Sequence, residues 1–263
     1  IGVLGCGWLG FPLAVSLVSK GHMVYGTSTS NQKLKTLSDA KIKPFQMAIS
    51  ETSITGDILK FLNDLEILIV NIPPKLRGKS KENYVKKVQL LHTAVKKTKI
   101  KKVLFISSTS VYGSIDGPVD EDTKPAPDTT SGIQILAAEQ VFALDTELNT
   151  TVIRFGGLIG PDRHPVTILS GRSGLKNGNA PINLIHLNDC ISIITAVIEK
   201  SWWNELFNGV YPNHPKKREY YSYEAQKRGL QTPDFKIDTP IKGKVIRSKR
   251  LLDVKNFKFT TSL

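Results

Sequence analysis

The chain has 263 residues, 40% of them hydrophobic and 22% charged, which suits a globular protein with a full core and excludes a low-complexity chain. Lys and Arg number 36 against 23 Asp and Glu, a net charge of +13 that admits nucleic acid, a membrane surface or anionic metabolites as partners. The lysines are scattered, and the clusters KKTKIKK at 96–102 and KKR at 216–218 carry little aromatic interleaving, so no dedicated nucleic-acid binding is expected.

Ile1–Leu4 reads as a short buried strand, Phe11–Lys20 as a helix and His22–Gly26 as a second strand. The segment IGVLGCGWLGFPLAVSLVSKGHMV is apolar enough for a signal peptide or membrane helix. It lacks a basic stretch ahead of the apolar run, and three glycines interrupt it, so a targeting role is not expected. The chain does not begin with Met, and a residue or more ahead of Ile1 is expected. LEILIVNI at 65–72 is a continuous apolar run of strand length, as in a parallel strand covered on both faces. Lys81–Lys97 has helical periodicity, with Tyr84, Val88, Leu91 and Val95 on one side. Lys102–Ser107 is another buried strand and Ile133–Ala143 another helix. Thr151–Phe155 and Leu184–Leu187 read as later strands and Ile191–Glu199 as a helix.

This alternation predicts an α/β fold, a Rossmann-type doubly wound parallel sheet with a smaller C-terminal substrate lobe. Residues 1–157 form the expected dinucleotide-binding domain, completed by segments within about 181–208. The Gly-, Pro- and Asn-rich stretch 158–180 and residues 209–263 form the expected lobe. Cys6 and Cys190, the only cysteines, make neither a disulfide framework nor a metal site, and fit a reducing, cytoplasmic compartment.

Gly5-Cys6-Gly7-Trp8-Leu9-Gly10 matches G-x-G-x-x-G between a strand and a helix, the context that gives the pattern meaning. Gly5 allows the tight turn, Gly7 the close approach of a pyrophosphate, and Gly10 the packing of helix on strand. The helix N-terminus supplies amide donors. The end of the second strand carries no acidic residue for a ribose 2′-hydroxyl. It reads Gly26-Thr27-Ser28-Thr29-Ser30-Asn31, with Lys33 and Lys35 behind, a set suited to a 2′-phosphate, so NADP is favoured over NAD. Asn71-Ile72-Pro73-Pro74 and Ser107-Ser108-Thr109-Ser110 follow two further strands, whose carboxyl ends border the same crevice.

GCGWLG, ISSTSVYG, P-x-x-x-S-G-x-x-x-L-A-A-E, RFGGLIGP and NLIHLND together resemble the extended short-chain dehydrogenase/reductase family of NAD(P)-dependent epimerases and dehydratases. The chain looks most like its atypical YeeZ-like subgroup, over essentially its whole length. The resemblance implies a Rossmann domain with a C-terminal substrate lobe. It also implies a catalytic Ser after the fifth strand and a Tyr-x-x-x-Lys pair on the next helix, with Tyr as acid/base and Lys lowering its pKa. Ser108 falls on the family's Ser, but Ser131 stands at the Tyr position and Ile135 at the Lys position, so both ionisable members are absent.

Tyr112 is a substitute phenol, if it faces the crevice. Tyr223 and Lys227 match Tyr-x-x-x-Lys by chance, far from where the family carries its catalytic helix. The resemblance places His186 beside the substrate pocket. Arg163 and His164, with Arg172 and Lys176 adding charge, are candidates to meet a small anionic substrate. Two functions remain open: an NAD(P)-dependent epimerase, dehydratase or reductase of a nucleotide-sugar-like metabolite, or a non-catalytic dinucleotide sensor.

Overall fold

The structure is a computed structural model that describes residues 1–74, 82–236 and 243–263. Among the described residues the strands are β1 (Gly2–Leu4), β2 (Tyr25–Ser28), β3 (Lys43–Gln46), β4 (Ala48–Ile49), β5 (Ile54–Thr55) and β6 (Ile67–Val70). They continue with β7 (Lys102–Ser108), β8 (Gly117–Val119), β9 (Asn149–Phe155), β10 (Gly157–Ile159), β11 (Leu184–His186), β12 (Leu206–Gly209) and β13 (Lys244–Ile246). The helices are α1 (Gly10–Ser19), α2 (Gln32–Asp39), α3 (Ile58–Asn63), α4 (Tyr84–Val95), α5 (Thr130–Ala143), α6 (Pro165–Leu169), α7 (Leu187–Glu199) and α8 (Lys217–Lys227).

Seven strands form one sheet in the order β12-β9-β7-β6-β1-β2-β3, with every neighbouring pair parallel. The order reverses beside β1, and the carboxyl ends of β1 and β6 open a crevice there. The run 67–70 shows why such strands are apolar throughout. Leu68 and Val70 pack on one face with Val88, Leu91 and Val95 of α4 and Phe142 of α5. Ile67 and Ile69 pack on the other with Leu13 and Leu17 of α1 and Ile193 and Val197 of α7. A smaller cluster of Ile159, Val166, Ile182, Leu184, Tyr220, Tyr221 and Ala225 joins α6 and α8 outside the sheet.

Four elements differ from the sequence reading. The second strand starts at Tyr25 rather than His22, because the His22 amide still donates to Leu17 O (3.1 Å) and closes α1. Residues 184–186 pair with β10 in a separate two-stranded sheet, and β12 takes the outer place beside β9. β3 is an edge strand reading KPFQ, without the apolar run that betrays a central strand. The helix expected from Lys81 begins at Tyr84, where the Asn83 side chain accepts from the Lys86 amide; Lys81 itself lies outside the described residues. Among the described residues no helix is long and apolar enough to cross a membrane.

The C-terminal half of α4 is tied to the loop after α5 by Asp145, whose carboxylate lies 2.8 Å from His92 Nε2 and 2.9 Å from Lys96 Nζ. The hydrogen bond from Lys96, seconded by the Glu147 amide and His92, holds its carboxyl down to about 2 from an ordinary 3.8. A depressed acid contributes stability above its unfolded pKa and loses it as pH falls through the folded one. Asp145→Asn is therefore expected to cost about 1 kcal/mol at pH 7, after allowance for solvent screening. Urea melts at a series of pH values should show wild type and variant converging between about pH 4 and pH 2, the window bounded by those two pKa values.

Candidate dinucleotide crevice

The glycine loop closes against β6. Gly5 has φ +103°, and a Cβ there would lie 2.7 Å from Asn71 O. A Cβ on Gly10 would come within 2.1 Å of Gly5 O, so helix and loop approach each other through glycine at both ends. Two polar ties hold the loop in place. Asn71 Nδ2 donates to Gly5 O (2.9 Å), and the Gly5 amide donates to the Thr27 hydroxyl (2.9 Å). Gly7 differs from its neighbours: a Cβ there would meet nothing within 4 Å. No side chain caps the N-terminus of α1; the Phe11 amide already donates to Gly7 O (3.0 Å) and Pro12 has no amide hydrogen, so the donors for a bound group are those ahead of Phe11.

One cavity of about 200 Å³ above the loop is lined by Gly5, Gly7, Thr27, Ser28, Thr29, Lys33, Asn71, Ile72 and Pro73, all singled out in the sequence. It also takes in Met47, Ile49 and Lys87, which the sequence reading missed. Lys87 lies on α4 with its side chain buried and its ammonium paired with Glu82. Only the folding of α4 over β6 reveals it.

An adjoining cavity of about 370 Å³ joins Gly7, Trp8 and Leu9 to Asn71, Ile72 and Pro73 and to Ser107, Ser108, Ile135, Leu158 and Arg163. Arg163 lies with its guanidinium 5.0 Å from the centre of the Trp8 ring, and Trp8 Nε1 donates to Asp162 Oδ1 (3.0 Å). These contacts draw the loop after β10 onto the glycine loop.

The catalytic candidates separate. Ser108 lines the crevice, its hydroxyl accepting from the Ser110 amide (3.2 Å). Ser131 stands in the first turn of α5, and the residue of that helix that reaches the crevice is the buried Ile135. The phenol lining this cavity is Tyr84 of α4, another residue the sequence assigned to packing. It donates to Ile72 O (3.0 Å), and burial pushes its pKa up, away from the range of a poised acid.

Tyr112 does not face the crevice. Its side chain is 0% exposed, its hydroxyl donates to Asn208 Oδ1 (2.9 Å) and accepts from Arg154 Nη1 (3.0 Å). Arg154 pairs with Glu139, which also accepts from the Ser107 hydroxyl (2.7 Å). Ser107 thus lines the crevice with its hydroxyl tied to a buried ionic network. Asn208 continues the chain, its amide donating to Glu121 Oε1 (2.9 Å).

The two histidines are helix caps. His164, 5% exposed, accepts from the Val166 amide through Nδ1 and meets the Tyr220 hydroxyl at 2.9 Å through Nε2, so both ring nitrogens are engaged. Burial holds its pKa below the ordinary value. His186 accepts from the Asn188 amide through Nδ1 at the start of α7. Neither is among the residues that line the two cavities beside Gly7 and Ser108, and each is engaged at a helix start. Arg172 and Lys176 lie exposed on the loop after α6, and Tyr223 and Lys227 on the surface of α8.

The sequence model of the NAD dependent epimerase/dehydratase family matches residues 1–208. Protein YeeZ of Escherichia coli strain K12 is 31% identical over 262 residues, covering 98% of this chain and 95% of that protein. The chain belongs to the NAD-dependent epimerase/dehydratase family. Among solved structures, MoeE5 in complex with UDP-glucose and NAD superposes with a TM-score of 0.79 at 20% identity, over 100% of this chain and 94% of that one. UDP-glucuronic acid 4-epimerase from Bacillus cereus in complex with NAD gives the same TM-score at 20% identity, over 99% and 93%. At that identity the likeness speaks for the fold.

Tyr112→Phe would leave Arg154 Nη1 and Asn208 Oδ1 short of a buried partner, a loss of about 1–3 kcal/mol. Denaturant unfolding should register this loss, and the affinity of the crevice for dinucleotide should stay unchanged.

Proposed function

We propose that this protein binds a nicotinamide dinucleotide over the glycine loop and acts as an epimerase, dehydratase or reductase of a nucleotide-sugar-like anionic metabolite, without the usual Tyr-x-x-x-Lys pair. The free space above Gly7 carries the reading: the backbone is laid open where a pyrophosphate needs close approach, while Gly5 and Gly10 are packed shut. The relatives found with NAD and UDP-sugars support the substrate class by analogy. A cytoplasmic setting fits the two free, buried cysteines.

Gly7 and the uncapped start of α1 would hold the diphosphate, and Thr27, Ser28, Thr29 and Lys33 the adenosine ribose. With hydroxyls and a lysine at that end and no carboxylate among the strand-end residues, NADP is favoured over NAD. When bound, the nicotinamide supplies hydride transfer to or from a substrate carbon. Ser108 orients a substrate hydroxyl or carbonyl by hydrogen bonding. Ile135 offers no proton and no ribose contact, so proton transfer falls to the substrate's own groups or to solvent admitted through the crevice.

That same apolar residue favours a second reading, a dinucleotide-binding sensor that performs no chemistry.

Fluorescence titration should show NADPH binding more tightly than NADH. Mixing the bound reduced or oxidised cofactor with nucleotide sugars should then change absorbance at the reduced-nicotinamide band. Binding without turnover over a broad panel would favour the sensor, and tighter NADH binding would reverse the cofactor preference. In parallel, Gly7→Ala should leave the unfolding midpoint unchanged, since the methyl enters open space, yet weaken dinucleotide binding at least about tenfold.

A further inference from the structure

Trp8, between Gly7 and Gly10 of the glycine loop, is gripped by one turn from the far half of the chain. Residues 160–163 form that turn, closed by two backbone hydrogen bonds: the Gly160 amide donates to Arg163 O (2.8 Å) and the Arg163 amide to Gly160 O (3.2 Å). Three of its four residues touch the indole. Gly160 packs so closely that a Cβ there would lie 2.7 Å from Trp8 Cζ2. Asp162 Oδ1 accepts from Nε1 (3.0 Å), and the Arg163 guanidinium lies 5.0 Å from the ring centre. Beyond the turn, His164 caps α6 and meets the Tyr220 hydroxyl at 2.9 Å, which anchors the other end. A guanidinium held this way has given up much of its freedom before any ligand arrives.

It is fixed but not neutralised. Among the described residues no carboxylate lies within ion-pair distance of Arg163. Asp162 is turned to a different cavity, with Phe11, Pro12 and Lys33. The cavity that Arg163 lines holds Gly7, Ser108 and Ile135 and, among the described residues of its lining, neither Asp nor Glu. Of the other cations near the loop, Lys87 is paired with Glu82, and Lys33 stands with Ser28 and Thr29 at the expected ribose end. A preset cation beside an open stretch of backbone has the makings of an anion site.

We infer that Arg163, laid on the indole of Trp8, holds the diphosphate of the bound dinucleotide and supplies the crevice with the positive charge that α5, with Ile135, does not bring. Gly7, where the free space lies, directly precedes the ring that carries the guanidinium. The planar fork suits two oxygens of a diphosphate, where an ammonium would act as a point charge. A guanidinium keeps its protons, so binding and orientation are supplied and no acid is restored. The inference rests on the dinucleotide reading above and adds to it a residue from the second half of the chain.

The test is calorimetric titration of NADP and of NAD into the full chain at several salt concentrations, using wild type, Arg163→Gln, Arg163→Lys and Trp8→Leu. Both dinucleotides carry the diphosphate, so Arg163→Gln should bind each about tenfold more weakly, the scale of a lost charge-assisted hydrogen bond, and keep the preference between them. Its affinity should also fall less steeply with salt than that of wild type, a change that a purely structural role would not produce. Arg163→Lys should recover part of the affinity. Trp8→Leu, which removes the ring under the guanidinium, should weaken both dinucleotides. The unfolding midpoint of Arg163→Gln should hold, because the side chain is exposed and unpaired. Binding indifferent to Arg163, weakening confined to NADP, an unchanged salt dependence, or undiminished binding by Trp8→Leu each overturns the inference and leaves the crevice reading standing. A wild type that binds neither dinucleotide overturns both.

Discussion

A guanidinium buried at the carboxyl end of the central sheet imposes order on much of what surrounds it. Arg154, 4% exposed, sits on β9 opposite Ser107 of β7 and Asn208 of β12. A charge in that position is tolerable only when its donors are met, and its removal from a matched partner is more costly than never having placed it there. Glu139 of α5 meets it, and Tyr112 covers it with both ring and hydroxyl. From these the polar chain passes to Ser107 on β7, Asn208 on β12 and Glu121 after β8. Glu121 in turn accepts from the Arg250 amide (3.4 Å), which brings the C-terminal segment onto the same network. The strand end that carries Ser108 is thereby held by elements from both halves of the chain.

The crevice has the opposite character. Its polar groups are backbone amides, short hydroxyls, the Asn71 amide and the cations Lys33, Lys87 and Arg163, and its wall on α5 is Ile135. The phenols that sequence and fold bring near it are both committed, Tyr84 to the Ile72 carbonyl and Tyr112 to the buried network. Arg163, stacked on Trp8, brings a cation from the loop after β10 to the same crevice.

Several parts of the molecule were legible in the residues. The apolar run 65–72 read as a strand covered on both faces and holds β6, and the spacing of Tyr84, Val88, Leu91 and Val95 marked the buried side of α4. The glycine loop announced the crevice, because no other residue satisfies φ +103° at position 5 and contact with Gly5 O at position 10. Less legible were β3, whose KPFQ has no hydrophobic pattern, and the partner of residues 184–186, since a short apolar run does not state which strand it will pair with.

Side-chain commitments were the least legible of all. Tyr112, His164 and His186 carry groups that bind or catalyse elsewhere, and in one dimension nothing distinguishes a free imidazole from a cap. The sequence by itself determined the periodicities and the glycine positions, because these are local properties of residue type and spacing. Only the tertiary structure decided which polar groups are spent on one another, as with Arg154 bound to Glu139. Those outcomes depend on residues far apart in the chain arriving within hydrogen-bond reach, and a distance of about 3 Å is a property of the fold.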